Sequence, residues 1–104
     1  EPSYYFSRCG AYFMTGQWDS AISDCTDTIQ MVPMESDAYF LRALTYYAKG
    51  DLDSALADSL AVLMIRRKDA NARHLIDEIL AERERREHGY PTAPVLKTDT
   101  EAGK

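Results

Sequence analysis

The sequence is poor in the residue combinations that support catalysis or bind metal ions. It has only two histidines, His74 and His88, and neither has a second metal ligand at helical spacing. It contains no glycine-rich phosphate loop, and no serine or cysteine has a recognisable base partner. We therefore expect a non-enzymatic protein that uses no metal or other cofactor.

Long apolar runs and clustered cations are also scarce. No stretch approaches the ~20 apolar residues that a membrane-spanning helix needs, so we expect no membrane insertion. Residues 1–65 contain nine acidic and only three basic side chains. The basic cluster Arg66-Arg67-Lys68 lies at a predicted helix end, where cations suit the helix dipole. Phosphate contacts need clustered Lys and Arg, so we expect no nucleic-acid partner.

The strongest positive signal is an internal repeat with a period of 34 residues, which aligns residues 2–35 with 36–69. A fixed period of this length is typical of stacked supersecondary units. The nine identical pairs are Tyr5/Tyr39, Phe6/Phe40, Arg8/Arg42, Tyr12/Tyr46, Gly16/Gly50, Asp19/Asp53, Ser20/Ser54, Ala21/Ala55 and Asp24/Asp58.

Each repeat is predicted to contain two helices separated by a glycine turn. Apolar residues at helical spacing precede Gly16 and Gly50, and glycine adopts the left-handed conformation that closes a helix at the least cost. Asp and Ser follow each glycine and favour the start of the next helix. The expected fold is all-α, with helices over about 3–15, 18–32, 36–49 and 52–67.

A fifth helix over about 69–88 is predicted to cap the second repeat. Its apolar stripe stops before a wholly polar segment, and no glycine and second helix follow in register, which is typical of a terminal cap. We expect residues 1–88 to form one domain and residues 89–104 a flexible tail. Because the sequence begins without methionine, we also expect it to be part of a longer protein.

Arginine and aspartate recur together in the two repeats. Arg8 and Arg42 lie among apolar neighbours, and each is followed sixteen residues later by an acid, Asp24 or Asp58. We predict ion pairs Arg8–Asp24 and Arg42–Asp58 that join the two helices of each repeat. The rival interpretation is an arginine that binds a ligand carboxylate. It is weaker, because the acid recurs in step with the arginine.

The two cysteines, Cys9 and Cys25, occupy predicted packing positions on neighbouring helices. A disulfide between them is geometrically conceivable. Small buried cysteines are common core residues, however, and nothing in the sequence suggests secretion. We therefore expect both cysteines to be reduced and the protein to be cytoplasmic.

The order of large, small, aromatic, glycine, alanine, bulky, small and proline residues in these units resembles the tetratricopeptide repeat family. Arg67 stands where the proline of repeat two belongs. The resemblance covers about two thirds of the chain and implies an α-solenoid whose first helices line a concave binding groove. Repeat one shows the pattern as Tyr5, Cys9, Tyr12, Gly16, Ala21, Cys25, Thr28 and Pro33, and repeat two as Tyr39, Ala43, Tyr46, Gly50, Ala55, Ser59 and Val62.

The groove that the resemblance implies is unusually apolar, and exposed apolar patches usually mark partner sites. We expect it to bind an apolar or amphipathic peptide or helix of another protein. The alternative is an assembly module that forms a homodimer, or packs on further repeats of a parent protein, through the same surface. A third option is that the tail around 90–96 folds back into the groove. The predicted partner-binding residues are Phe6, Phe13, Phe40, Leu41, Leu44, Tyr47 and His74.

Many tetratricopeptide relatives bind the acidic C-terminal tails of the chaperones Hsp70 and Hsp90 through lysine, asparagine and arginine. At the matching positions this sequence does not reproduce the cationic pattern, so the resemblance disfavours chaperone-tail binding here. Those positions are Phe6, Gly10, Leu41, Asn71 and Leu75.

Overall fold

A computed structural model describes residues 1–89, and this part of the chain is all-helical. The predicted all-α fold is confirmed, and each helix begins and ends within two residues of the predicted bounds. Residues 90–104, which include most of the expected tail and the segment considered for the groove, lie outside the described residues. The helices are α1 (Pro2–Met14), α2 (Trp18–Met31), α3 (Ser36–Lys49), α4 (Leu52–Ile65) and α5 (Ala70–Glu87).

Short glycine turns join α1 to α2 and α3 to α4, so each pair forms a helical hairpin. Gly16 and Gly50 have φ angles of 77° and 98°, which side-chain-bearing residues rarely adopt. The residue after each glycine donates its amide to a tyrosine carbonyl at 2.9 Å, from Gln17 to Tyr12 and from Asp51 to Tyr46. The two turns are therefore built in the same way, one repeat period apart.

Aspartate side chains fix the starts of α4 and α5. Asp51 accepts a hydrogen bond from the Ser54 amide at 3.2 Å, and Asp69 accepts one from the Ala72 amide at 2.9 Å. These bonds satisfy amides that have no partner within the helix.

The core consists of two apolar clusters, one for each hairpin. Fully buried Ala21 and Ala55 have no bulky side chain, which lets the second helix of each hairpin approach the first. The first cluster contains Cys9, Ala21 and Cys25, with Tyr12, Phe13 and Leu41 packed around it. The second contains Ala43, Tyr47, Leu52, Ala55, Leu75 and Ile79, with Phe40, Leu44, Tyr46 and Leu56 around it.

The fifth helix lies where the first helix of a third hairpin would lie. It packs on α4 and touches α3, as α3 packs on α2 and touches α1. Its buried residues Ala72 and Leu75 lie one period beyond Ala38 and Leu41. On its other side Asp77 and Leu80 are exposed. Of the described helices, none is long and apolar enough to cross a membrane.

Candidate functional site

Both ion pairs that the sequence predicts are present, and each is bidentate. Arg8 donates to the two carboxylate oxygens of Asp24 at 2.6 and 2.9 Å. Arg42 donates to those of Asp58 at 2.7 and 2.8 Å, and the Asp58 carboxylate raises the pKa of the Arg42 guanidinium. Arg42 also donates to the Thr26 hydroxyl at 3.0 Å, which links the two hairpins. These arginines are held within the fold, so the rival role as ligand-binding groups is not needed.

A second kind of ion pair, which the sequence did not lead us to predict, joins the first hairpin to the second and the second hairpin to α5. Lys49 Nζ lies 2.6 Å from Asp19 Oδ1, and Arg83 Nη2 lies 2.9 Å from Asp53 Oδ1. Both pairs span thirty residues, and the second is the first displaced by one period. The sequence signal for these ion pairs is that both repeats have aspartate at this position, Asp19 and Asp53, and that a cation follows each of them thirty residues later. Pairs as exposed as these add little stability, but they show that α5 meets α4 as α3 meets α2.

The expectation of two reduced cysteines is wrong. Cys9 and Cys25 form a disulfide between α1 and α2, with their Cα atoms 5.5 Å apart. Cys9 directly follows Arg8, and Cys25 directly follows Asp24. The sixteen-residue spacing that predicts the Arg8–Asp24 pair therefore also brings the two cysteines together. One period later the same positions are Ala43 and Ser59, which are fully buried without a covalent link.

The first helices of the hairpins, α1 and α3, contact each other, and α3 contacts α5. We call the face that the resemblance assigns to these three helices the α1–α3–α5 surface. α1 contacts α3 near Gly10, where an added Cβ atom would lie 4.0 Å from Leu41 Cδ2, an ordinary packing distance. Of the residues that the resemblance places on this surface, Leu75 is instead buried in the second cluster. The others are Ser3, Phe6, Ser7 and Gly10 of α1, Asp37, Phe40, Leu41 and Leu44 of α3, and Asn71, His74 and Glu78 of α5.

The structure divides the predicted partner-binding residues between the core and this surface. Tyr47 is only 3% exposed and belongs to the second cluster, so its assignment as a surface residue is corrected. It is buried because α5 covers that side of α3. Phe13 packs against Trp18, with ring centroids 5.7 Å apart, and lies at the edge of the disulfide cluster.

The other predicted residues reach the surface to different degrees. Phe6, Phe40, Leu41 and Leu44 are half-buried, and the last three pack against the two clusters. We call these four side chains the apolar floor of the surface. Part of each side chain is accessible to a partner. His74 is exposed, with Nε2 3.9 Å from Glu78 Oε2.

A pocket of about 360 Å³ opens at one end of the α1–α3–α5 surface. It lies where α1 begins, α2 ends and α3 begins. Apolar groups form most of its wall, and two carboxylates stand at the start of α3. The lining residues are Pro2, Ser3, Phe6, Thr28, Val32, Glu35 and Asp37.

Most of the exposed apolar side chains were not predicted as site residues. All four methionines of the chain are exposed, and Leu60 and Leu80 are almost half exposed. Leu60 and Met64 on α4 occupy the positions that are Thr26 and Gln30 on α2. Because these two positions change from polar to apolar between the repeats, the sequence alone could have predicted that Leu60 and Met64 form an exposed apolar pair.

Comparison with known proteins gives no match, either to a protein-family model or to a curated protein. Within residues 1–89, no three His, Cys, Asp or Glu side chains are grouped to hold a metal ion.

Proposed function

We propose that this chain is a protein-interaction module of the tetratricopeptide type, which binds an apolar or amphipathic segment of a partner protein on the α1–α3–α5 surface. The observation that supports this proposal most directly is the half-buried apolar floor of Phe6, Phe40, Leu41 and Leu44. Partly accessible aromatic and aliphatic groups that are already held in place lose little conformational freedom when a partner covers them.

The repetition of contacts supports the family resemblance on which this proposal draws. The two hairpins share their turn hydrogen bonds and their arginine–aspartate pairs, and both junctions have a cation–aspartate pair, all at an offset of 34 residues. A stack of this kind leaves the first helix of each hairpin available on one side, where a partner segment can lie across several units.

The direct test is capture of partner proteins from cells by the intact module, quantified by mass spectrometry. Phe40→Glu puts a charge into the apolar floor, and Ser7→Arg places a long cation on the same surface without removing a core contact. Ser23→Arg is the matched control, because Ser23 is an exposed serine on the outer side of α2. A partner retained by wild type and Ser23→Arg but lost by the other two supports the proposal. Equal capture by all four proteins contradicts it.

A specific feature favours an assembly module, although through the outer side of α5 rather than through the α1–α3–α5 surface of the alternative stated above. α5 stands where a first helix would stand, and its side bearing Asp77 and Leu80 is exposed. That side can accept another helix, from a second copy or from further repeats. Sedimentation separates the two functions. A concentration-dependent dimer that Leu80→Glu or Phe40→Glu abolishes favours assembly, whereas a monomer at all concentrations favours a separate partner.

The proposed module is non-enzymatic, and the disulfide bears on where it works. Structural disulfides persist in oxidising compartments and are rare in the cytosol. The Cys9–Cys25 bond therefore favours an oxidising compartment over the cytoplasm expected from the sequence. Alkylation of the protein in lysates prepared without reductant, followed by mass spectrometry, distinguishes the two. Unmodified cysteines indicate the bonded form, and two alkylated cysteines indicate a reducing location.

A further inference from the structure

We propose that the partner segment bears a lysine or arginine next to an apolar anchor, with the anchor in the Phe6 pocket and the cation against Glu35 and Asp37. This inference rests on the proposed function and adds the chemistry of the partner. It concerns the end of the α1–α3–α5 surface at which α1 and α3 begin.

The pocket can hold a side chain but offers it few polar contacts. Pro2, Phe6 and Val32 supply apolar walls, and the Thr28 hydroxyl is already bonded to the Asp24 carbonyl at 3.0 Å. The volume of about 360 Å³ is at the lower end of the range for ligand pockets, which suits one large apolar side chain rather than a whole ligand. The pocket therefore provides an anchor point for a chain that continues along the surface.

The two carboxylates at the mouth of the pocket have no side-chain partner among the described residues. Neither Glu35 nor Asp37 makes a hydrogen bond or ion pair with any other side chain in residues 1–89, and Asp37 is exposed. Glu35 precedes α3 but makes no side-chain cap to it. Their charge is thus available to a partner rather than used by the fold.

The cations of α1, α2 and α3 do not pair with these two carboxylates. Arg8, Arg42 and Lys49 are each paired with an aspartate elsewhere. Arg66, Arg67 and Lys68 lie in the connection between α4 and α5, one period beyond the loop that borders the pocket. Glu35 and Asp37 therefore give the pocket end of this surface a negative charge with which none of these three helices' cations pairs.

The probe is a random 12-residue peptide library displayed on phage and selected against the intact protein. We expect the enriched peptides to contain Lys or Arg within about four residues of an aromatic or aliphatic side chain, the spacing of one helical turn. The best peptide is then synthesised and its affinity measured by fluorescence anisotropy at low and high salt.

The variant Glu35→Gln/Asp37→Asn removes the two charges and keeps the shapes. Two partly exposed charge contacts correspond to about a tenfold loss of affinity, with a weaker salt dependence. The control Asp77→Asn/Glu87→Gln changes the net charge equally at exposed positions of α5 and should bind as wild type does. Circular dichroism verifies that both variants fold.

The outcomes separate this inference from the function on which it rests. Peptides without cations, or an equal loss of affinity in the control variant, overturn the cation site but leave the interaction module standing. If the selection enriches no peptide that binds, the proposed function and the cation site both fall.

Discussion

Replacement of Arg42 by leucine should be among the most destabilising single changes in this protein. The Arg42 side chain is 18% exposed and that of Asp58 is 7% exposed, so the pair is largely removed from water. Arg42→Leu leaves the Asp58 carboxylate buried without its cation, a change that costs about 3 to 5 kcal/mol in comparable buried pairs. Because Arg42 retains some solvent contact, we expect a loss near the lower limit, about 3 kcal/mol. In a domain of this size that loss lowers the melting temperature by about 12 °C or more.

The double variant Arg42→Leu/Asp58→Leu separates pairing from packing. Removal of both charges leaves apolar side chains where the pair was, and such replacements are often close to neutral. We therefore expect the double variant to be more stable than either single variant. Urea unfolding followed by circular dichroism, with the disulfide kept intact, gives the free energies of unfolding. Additive losses, or single variants as stable as wild type, would refute the reasoning.

The same pair in the first repeat is the internal control. The Arg8 side chain is 39% exposed, whereas the Asp24 side chain is only 4% exposed. Because the cation already lies partly in water, its attraction to Asp24 is more strongly screened. Arg8→Leu should therefore lower stability less than Arg42→Leu in the same assay. A larger loss for Arg8→Leu would contradict the role assigned to burial.

Three further changes test other features. Cys9→Ala/Cys25→Ala opens a link between residues sixteen positions apart and should cost about 3 kcal/mol, an effect that dithiothreitol reproduces in wild type but not in the variant. Tyr47→Phe should leave stability unchanged or raise it, because the buried hydroxyl has no hydrogen-bond partner among the described residues, whereas Tyr47→Ala should cost about 3 to 5 kcal/mol. Burial raises the pKa of Tyr47, so the folded state holds the proton more tightly. Wild-type stability should consequently fall as pH rises above the ordinary tyrosine value of about 10, and less so in Tyr47→Phe. Gly50→Ala should cost about 1 kcal/mol or more by thermal unfolding, because φ is 98° there.

The parts of the fold that the sequence predicts are those encoded within one repeat. The glycine turns and the Arg8–Asp24 and Arg42–Asp58 pairs follow from helical periodicity and from spacings shorter than a repeat. Because the pattern occurs twice in register, the interpretation of one repeat can be checked against the other. For these features, residues close in sequence determine the contacts.

The features that the sequence did not predict depend on contacts between units or on chemistry outside the chain. Tyr47 aligns with Phe13, yet it is buried because α5 covers α3, and that contact involves residues about thirty positions apart. The exposure of Leu60 and Met64 likewise depends on which helices surround α4. The state of Cys9 and Cys25 depends on redox conditions as well as on distance, so spacing alone left both states open.

The ion pair between Asp53 and Arg83 has a consequence for the length of the molecule. It joins α4 to α5 with the same chemistry that joins α2 to α3 through Asp19 and Lys49. An inserted copy of residues 36–69 would therefore find a matching acid before it and a matching cation after it. Insertion of whole hairpins would therefore need no new kind of ion pair between units. Evolution could lengthen or shorten the stack while the remaining contacts between units stay the same.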